Sequence, residues 1–244
     1  MDPIHELSRP PLTSYESLAR MIDHSLLRPE LTEEQVEEGC RIARAYGVAS
    51  VSVRPSDVDL AVEWLRGTDV AVGSVAGFPH GSSTTAAKLY EVRDLIRRGA
   101  REVDMVLNIG KLVSRCFQYV ETELRQIADA CHESGVLLKV IFENAYLTDE
   151  LKIIACKIAT RAGVDFVKTS TGFAPSGATL EDLRLMRRYA GPNVRIKAAG
   201  GVRTLDMALA AYEAGADRFG ATATVKILED WKTRLREQAV SSPS

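Results

Sequence analysis

From Ile22 onward the chain alternates short, β-branched apolar runs with longer amphipathic stretches, and it does so to the end. The apolar runs fall at 21–23, 49–53, 70–76, 102–107, 136–142, 164–168, 194–198 and 217–220. Short buried runs separated by helical patterns predict βα units around a parallel sheet. The clearest helix spans 32–46: Thr32 suits the cap, Glu33 and Glu34 the first turn, and Val36, Cys40, Ala43 and Gly47 follow helical spacing. Ser83 or Thr84, Thr148 and Thr204 open further helices. Gly47, Gly99, Gly135, Gly163 and Gly215 stand where a left-handed residue ends a helix before the next strand. The unit repeats at roughly 28 residues, and about eight units fit. A single (β/α)8 TIM barrel over 21–237 is therefore expected, with an N-terminal arm or cap at 1–20 and a polar tail at 238–244. No GxGxxG turn follows the first strand, which weighs against a doubly wound sheet.

Composition narrows the function classes. The chain has 244 residues, 45% hydrophobic and 26% charged, enough to bury a sizeable core and unlike a disordered or fibrous protein. Thirty-one basic residues against thirty-three acidic ones leave a net charge of −2, so no bulk field draws in nucleic acid or an anionic membrane. Cys40, Cys116, Cys131 and Cys156 share no metal-type spacing and read as reduced thiols of a cytoplasmic protein. The start MDPIHELSRPP does not resemble a secretion signal, and no run approaches a membrane span. Neither HxH nor HExxH occurs, and no metal or cofactor is expected.

Charge inside the strands is the first chemical signal. Parallel strands covered on both faces should be apolar, yet four of them carry Asp104 (EVDMVL), Lys139 (LLKVIF), Lys168 (VDFVKTS) and Lys197 (VRIKAAG). Period-two alternation places Lys168 with Val164 and Phe166, Lys139 with Leu137 and Ile141, and Asp104 with Glu102 and Val106, all consistent with a common lumen. A structural ion network or lysines reaching toward a barrel mouth would also place charges there. Three lysines gathered with one aspartate favour function, because like charges are costly to bury together. If the strands of Lys168 and Lys197 are adjacent, the second ammonium lowers the pKa of the first. A partly deprotonated amine is the nucleophile that forms a Schiff base with a carbonyl, and Asp104 is suited to relaying protons.

The second signal is small residues after three consecutive strands: TSTG with Thr171 and Gly172, AGGVRT with Gly200 and Gly201, and FGATAT with Gly220 and Thr222. Such loops let backbone amides and helix N-termini approach an anion, and a phosphate site after the last strands recurs in barrels. Arg203 either approaches it or, as the residue before a helix cap, faces solvent. His24 and His80 are expected after the first and third strands, as loop-orienting hydrogen-bond formers at the mouth. Trp64 and Trp231 read as helix packing residues.

IDHSLLRP, GFPHG, EVDMVLNIG, LKVIFE, FVKTSTGF, IKAAGGVRT and DRFGAT, in this order over nearly the whole chain, resemble the deoxyribose-phosphate aldolases. The resemblance implies a metal-free class I aldolase on a TIM barrel, cleaving 2-deoxy-D-ribose 5-phosphate reversibly to acetaldehyde and D-glyceraldehyde 3-phosphate. It implies Lys168 as the Schiff-base lysine, Lys197 as its perturbing partner and proton-transfer aid, and Asp104 as the proton-relay carboxylate. It also implies phosphate contacts from the three loops and a homo-oligomer, dimer or tetramer. The chain departs from the family pattern at Ser52 and Arg54, where a thiol and an amide are usual, at Asn144 for threonine, and at Ala223 for a second serine. Residues 239–244 carry no tyrosine. Two other classes fit the same residues: a sugar-phosphate isomerase or synthase using the lysines electrostatically, and a non-catalytic barrel that binds sugar phosphates.

Overall fold

The computed structural model describes residues 9–241; the first eight positions of the expected arm and the last three of the expected tail lie outside them. Eight parallel strands close into a barrel in sequence order, β1 pairing with β8. They are β1 (Ile22–Leu26), β2 (Ser50–Val53), β3 (Ala71–Ala76), β4 (Glu102–Val106), β5 (Leu137–Ile141), β6 (Phe166–Lys168), β7 (Arg195–Ala198) and β8 (Arg218–Ala221). The helices are α1 (Tyr15–Ala19), α2 (Glu33–Tyr46), α3 (Val58–Trp64), α4 (Thr85–Arg97), α5 (Ile109–Val113), α6 (Phe117–His132), α7 (Asp149–Ala162), α8 (Leu180–Tyr189), α9 (Leu205–Glu213) and α10 (Thr224–Ser241). Each apolar run of the sequence holds a strand, so the (β/α)8 expectation stands.

Threonines start most of the long helices. Thr32, Thr84, Thr148, Thr179 and Thr204 each accept a first-turn backbone N–H on the side-chain oxygen, satisfying a donor that the helix cannot. Gly47 and Gly163 end α2 and α7 in the left-handed region, at φ 61° and 76°, where a Cβ would be strained. Outward strand residues such as Val103, Met105, Leu138, Val140, Val167, Ile196 and Phe219 pack against the helix ring, as do Val36, Leu124, Ile158 and Trp231 from the other side. Helix α1, within the segment read as an arm, buries Leu18 and Ala19 against this core and packs on α10. Helix α10 runs on through Ser241, into the segment read as a tail.

Adjacent parallel strands send paired residues to the same face. Asp104 stands opposite Lys139, Lys168 opposite Lys197, and Lys197 opposite Arg218. The closed register thus aims all of them at one lumen.

Candidate active site

The lumen holds more charge than the four residues singled out from sequence. Lys168 Nζ donates to Asp104 Oδ2 at 2.7 Å, and Lys197 Nζ donates to the same oxygen at 2.7 Å. Lys197 also pairs with Asp23 Oδ2 at 2.5 Å. Lys139 Nζ donates to Asp104 Oδ1 at 2.8 Å and Glu102 Oε2 at 2.6 Å, with Asp23 Oδ2 at 3.3 Å. Arg218 Nε donates to Asp23 Oδ1 at 2.7 Å, and its Nη2 to both Glu102 oxygens at 2.9 Å. Charged residues therefore enter from six strands. Asp23 and Arg218 were missed, although the rule that exposed the others, charge within a buried strand, applies equally to them; Glu102 was read on the face of Asp104 but given no role. Asp23 was hidden because the first strand was expected to end there, whereas β1 runs on to Leu26.

The partners are unequally shared. Lys139 faces three carboxylates, and Lys197 and Arg218 face two each. Lys168 has one, and its single acceptor oxygen is also taken by Lys197. The electrostatic consequences follow. Burial pushes the Lys168 ammonium down, and Lys197 and Lys139 add to this against the pull of Asp104, so its pKa falls to about 8. Burial, more than the second ammonium expected from sequence, dominates this shift. For Lys139 the balance reverses: burial opposes its charge, but Asp104, Asp23 and Glu102 outweigh it and raise the pKa. Asp104 and Asp23 would be pushed up by burial, yet the surrounding cations hold both well below the usual carboxylate range. An assembly of this kind rarely improves on apolar packing for stability, so its persistence points to chemistry.

Above this network, at the C-terminal ends of the strands, lies a cavity of about 530 Å³. Its lining includes Lys168, Lys197, Asp23, Ser25 and Ser52, together with Thr171, Gly172, Gly200, Gly201, Gly220 and Thr222. All six loop residues expected around the phosphate thus reach one cavity, with Arg203 beside them. Asp104 lies beneath, reaching the cavity through the two lysine ammonium groups it accepts from. The loops brace one another. Thr169 Oγ1 donates to Ala199 O at 3.1 Å and accepts Ala199 N–H at 3.0 Å, while Ala178 N–H donates to Ala199 O and Gly200 O, each at 2.9 Å. Thr171 is clamped from behind by Glu143, buried at φ 56°, whose oxygens accept its N–H at 3.2 and 3.3 Å and also its hydroxyl. Glu143 was not foreseen in this role; its only sequence signal is an acid directly after a buried strand.

Other expected residues fall elsewhere. His24 lies inside β1 rather than after it, faces away from the lumen, and places Nδ1 2.8 Å from Thr224 Oγ1. His80 is exposed and does not border the cavity. Arg54 lines a neighbouring apolar cavity of about 270 Å³ with Phe78 and Phe173, tied to Asp57 at 2.6 Å and to Pro29 O at 2.9 Å. Asn144 is buried behind the mouth with its Oδ1 unpartnered, and Ala223 packs against the core.

Fold and site together define a class: a (β/α)8-barrel protein with a lysine–carboxylate centre under a glycine-walled cavity at the C-terminal mouth. Residues 18–229 match the model of the DeoC/LacD family aldolases, and the chain belongs to that family. It is 50% identical over 220 residues to the deoxyribose-phosphate aldolase of Caldanaerobacter subterraneus subsp. tengcongensis, covering 90% of this chain and 95% of that one. It is 49% identical over 216 residues to the deoxyribose-phosphate aldolase of Listeria monocytogenes, covering 88% and 96%. The tetrameric deoxyribose phosphate aldolase structure from Aeropyrum pernix superposes with a TM-score of 0.84 at 33% identity, over 91% of this chain and 94% of that one.

Proposed function

We propose that this enzyme reversibly cleaves 2-deoxy-D-ribose 5-phosphate to acetaldehyde and D-glyceraldehyde 3-phosphate through an imine on Lys168. The observation that carries the reading is the partner inventory of the lumen: of its four cations, Lys139, Lys168, Lys197 and Arg218, Lys168 alone has a single, shared carboxylate oxygen, and it opens on the cavity. It is the group that gives up its proton most readily, and an amine with a pKa of about 8 is free to about one part in ten at neutral pH, far more than an ordinary lysine.

Neutral Lys168 attacks C1 of the open-chain sugar, and loss of water leaves a protonated imine. This draws electrons from the C2–C3 bond as the C3 hydroxyl is deprotonated; cleavage releases glyceraldehyde 3-phosphate and leaves an enamine. Protonation at C2 and hydrolysis then free acetaldehyde and regenerate the amine. Asp104, within 2.7 Å of both Lys168 and Lys197, is placed to pass protons between them and a cavity water. The backbone of Gly172, Gly201 and Thr222, the start of α10 and Arg203 hold the phosphate away from the reacting carbons, so binding energy there orients the chain. The kinship with a tetrameric relative supports a homo-oligomer, dimer or tetramer, measurable by light scattering.

Acetaldehyde with borohydride will add one ethyl group at Lys168, located by peptide mass mapping. A folded protein left unmodified at Lys168 would remove the imine. Activity that is lost to EDTA and restored by zinc would favour a metal-dependent reaction instead.

A further inference from the structure

Arg218 and Glu102 touch neither Lys168 nor the cavity, and the reaction gives them no part. They are nevertheless tied into the same network. Arg218 holds Asp23 and Glu102, these hold Lys139 and Lys197, and those two share Asp104 with Lys168. The charged groups buried around Lys168 belong to this set: Asp23 from β1, Glu102 and Asp104 from β4, Lys139 from β5, Lys197 from β7 and Arg218 from β8. Arg28, Glu30 and Arg203 line the open cavity on its other side, and Arg195, exposed at the start of β7, lies over the Phe166 ring. Strands β2 and β3 contain no charged residue. Glu143, above β5, is turned toward Thr171, and His24 faces outward to Thr224.

The network thus pairs three carboxylates with three cations that each hold two or more of them, and Lys168 is the fourth cation. We propose that Arg218 and Glu102 are positioning residues that set the charge count of the lumen, and so keep Lys168 the cation that most readily yields the free amine on which the reaction depends; this rests on Lys168 being the imine-forming lysine. In a buried medium an excess charge is expelled at the group that holds it least well. With Arg218 present, the excess is a proton, and Lys168 is the group that releases it most readily. Without Arg218, three carboxylates face only Lys139 and Lys197, and the missing positive charge is best supplied by protonating Lys168. Neutralising Glu102 has the opposite effect, and neutralising both restores the original balance with one fewer pair.

The test compares wild type, Arg218→Met, Glu102→Gln and the double variant in the full-length protein. The measurement is the rate of reductive ethylation of Lys168 by acetaldehyde and cyanoborohydride as a function of pH, with folding checked by circular dichroism. The acidic limb should move up by about one pH unit in R218M, which is about tenfold slower labelling at neutral pH. It should move down in E102Q and return to the wild-type position in the double variant. A merely structural role would slow all three without this sign reversal and rescue. If R218M does not fold, the downward shift in E102Q and the wild-type limb of the double variant still decide. Superimposed limbs, or a double variant that shifts like R218M, would overturn the inference while wild-type labelling at Lys168 leaves the imine intact. Wild type unlabelled at Lys168 would instead remove the reading on which it rests.

Discussion

The partner count around each titratable side chain, more than its identity, sets its behaviour here. Three lysines occupy one lumen, yet Lys139 is locked as a cation by three carboxylates while Lys168, with one shared oxygen, releases its proton most readily. Glu143 shows the same logic on the binding side. Its buried carboxylate accepts from both the N–H and the hydroxyl of Thr171, a residue that lines the cavity beside Lys168. Glu143→Gln puts an N–H donor where Thr171 also donates. Losing a buried charged acceptor costs about 1.5–3 kcal/mol, so kcat/KM for 2-deoxyribose 5-phosphate should fall roughly tenfold to a hundredfold in steady-state assays. An unchanged value would mean that Thr171 does not need this clamp.

At the scale of elements, the loops after β6 and β7 act as one piece. Gly177 lies against Gly200: a Cβ on Gly177 would come within 2.4 Å of Gly200 O and 2.8 Å of its Cα. Both are backbone atoms with little room to move, and Ala178 N–H is bonded to the same loop. Gly177→Ala should therefore displace Gly200 and Gly201, raising KM for the phosphorylated sugar about tenfold or more, while the ethylation of Lys168 by acetaldehyde, which has no phosphate, stays near wild type. Equal losses with both probes would show that the displacement reaches the lysine. The helix-start threonines and left-handed glycines that frame these loops were readable in the sequence, because capping is a matter of neighbours along the chain. The Gly177–Gly200 contact was not, since it joins two loops separated by a helix and a strand.

For the molecule as a whole, stability should carry the signature of its buried charges. Burial holds His24 neutral, with a pKa lowered from its ordinary 6.5 to about 4. In the unfolded chain it protonates first, so its contribution of about 3 kcal/mol is complete above pH 6.5 and is lost as pH falls toward 4. Asp23 and Asp104, held below the usual carboxylate range, keep their contribution down to more acidic pH and lose it only below about 4. Thermal melts should therefore decline in two stages on acidification. His24→Gln should remove the first and leave the second, and a single stage shared by both proteins would refute the assignment.

The sequence by itself determined the barrel, its eight strands and the starts of α2, α4, α7 and α9, because hydrophobic period and capping are local properties of the chain. It also pointed to Lys168, Lys197, Asp104 and the three glycine-bearing loops, since a charge in a buried strand and small residues at strand ends stand out without any partner in view. Only the tertiary structure decided which lysine is the least compensated. That depends on how many carboxylates the closed register brings to each ammonium, and Asp23, Glu102 and Arg218 come from the first, fourth and eighth strands. The net charge of −2 carries none of this; barrel closure turns a nearly neutral composition into a lumen with one proton too many.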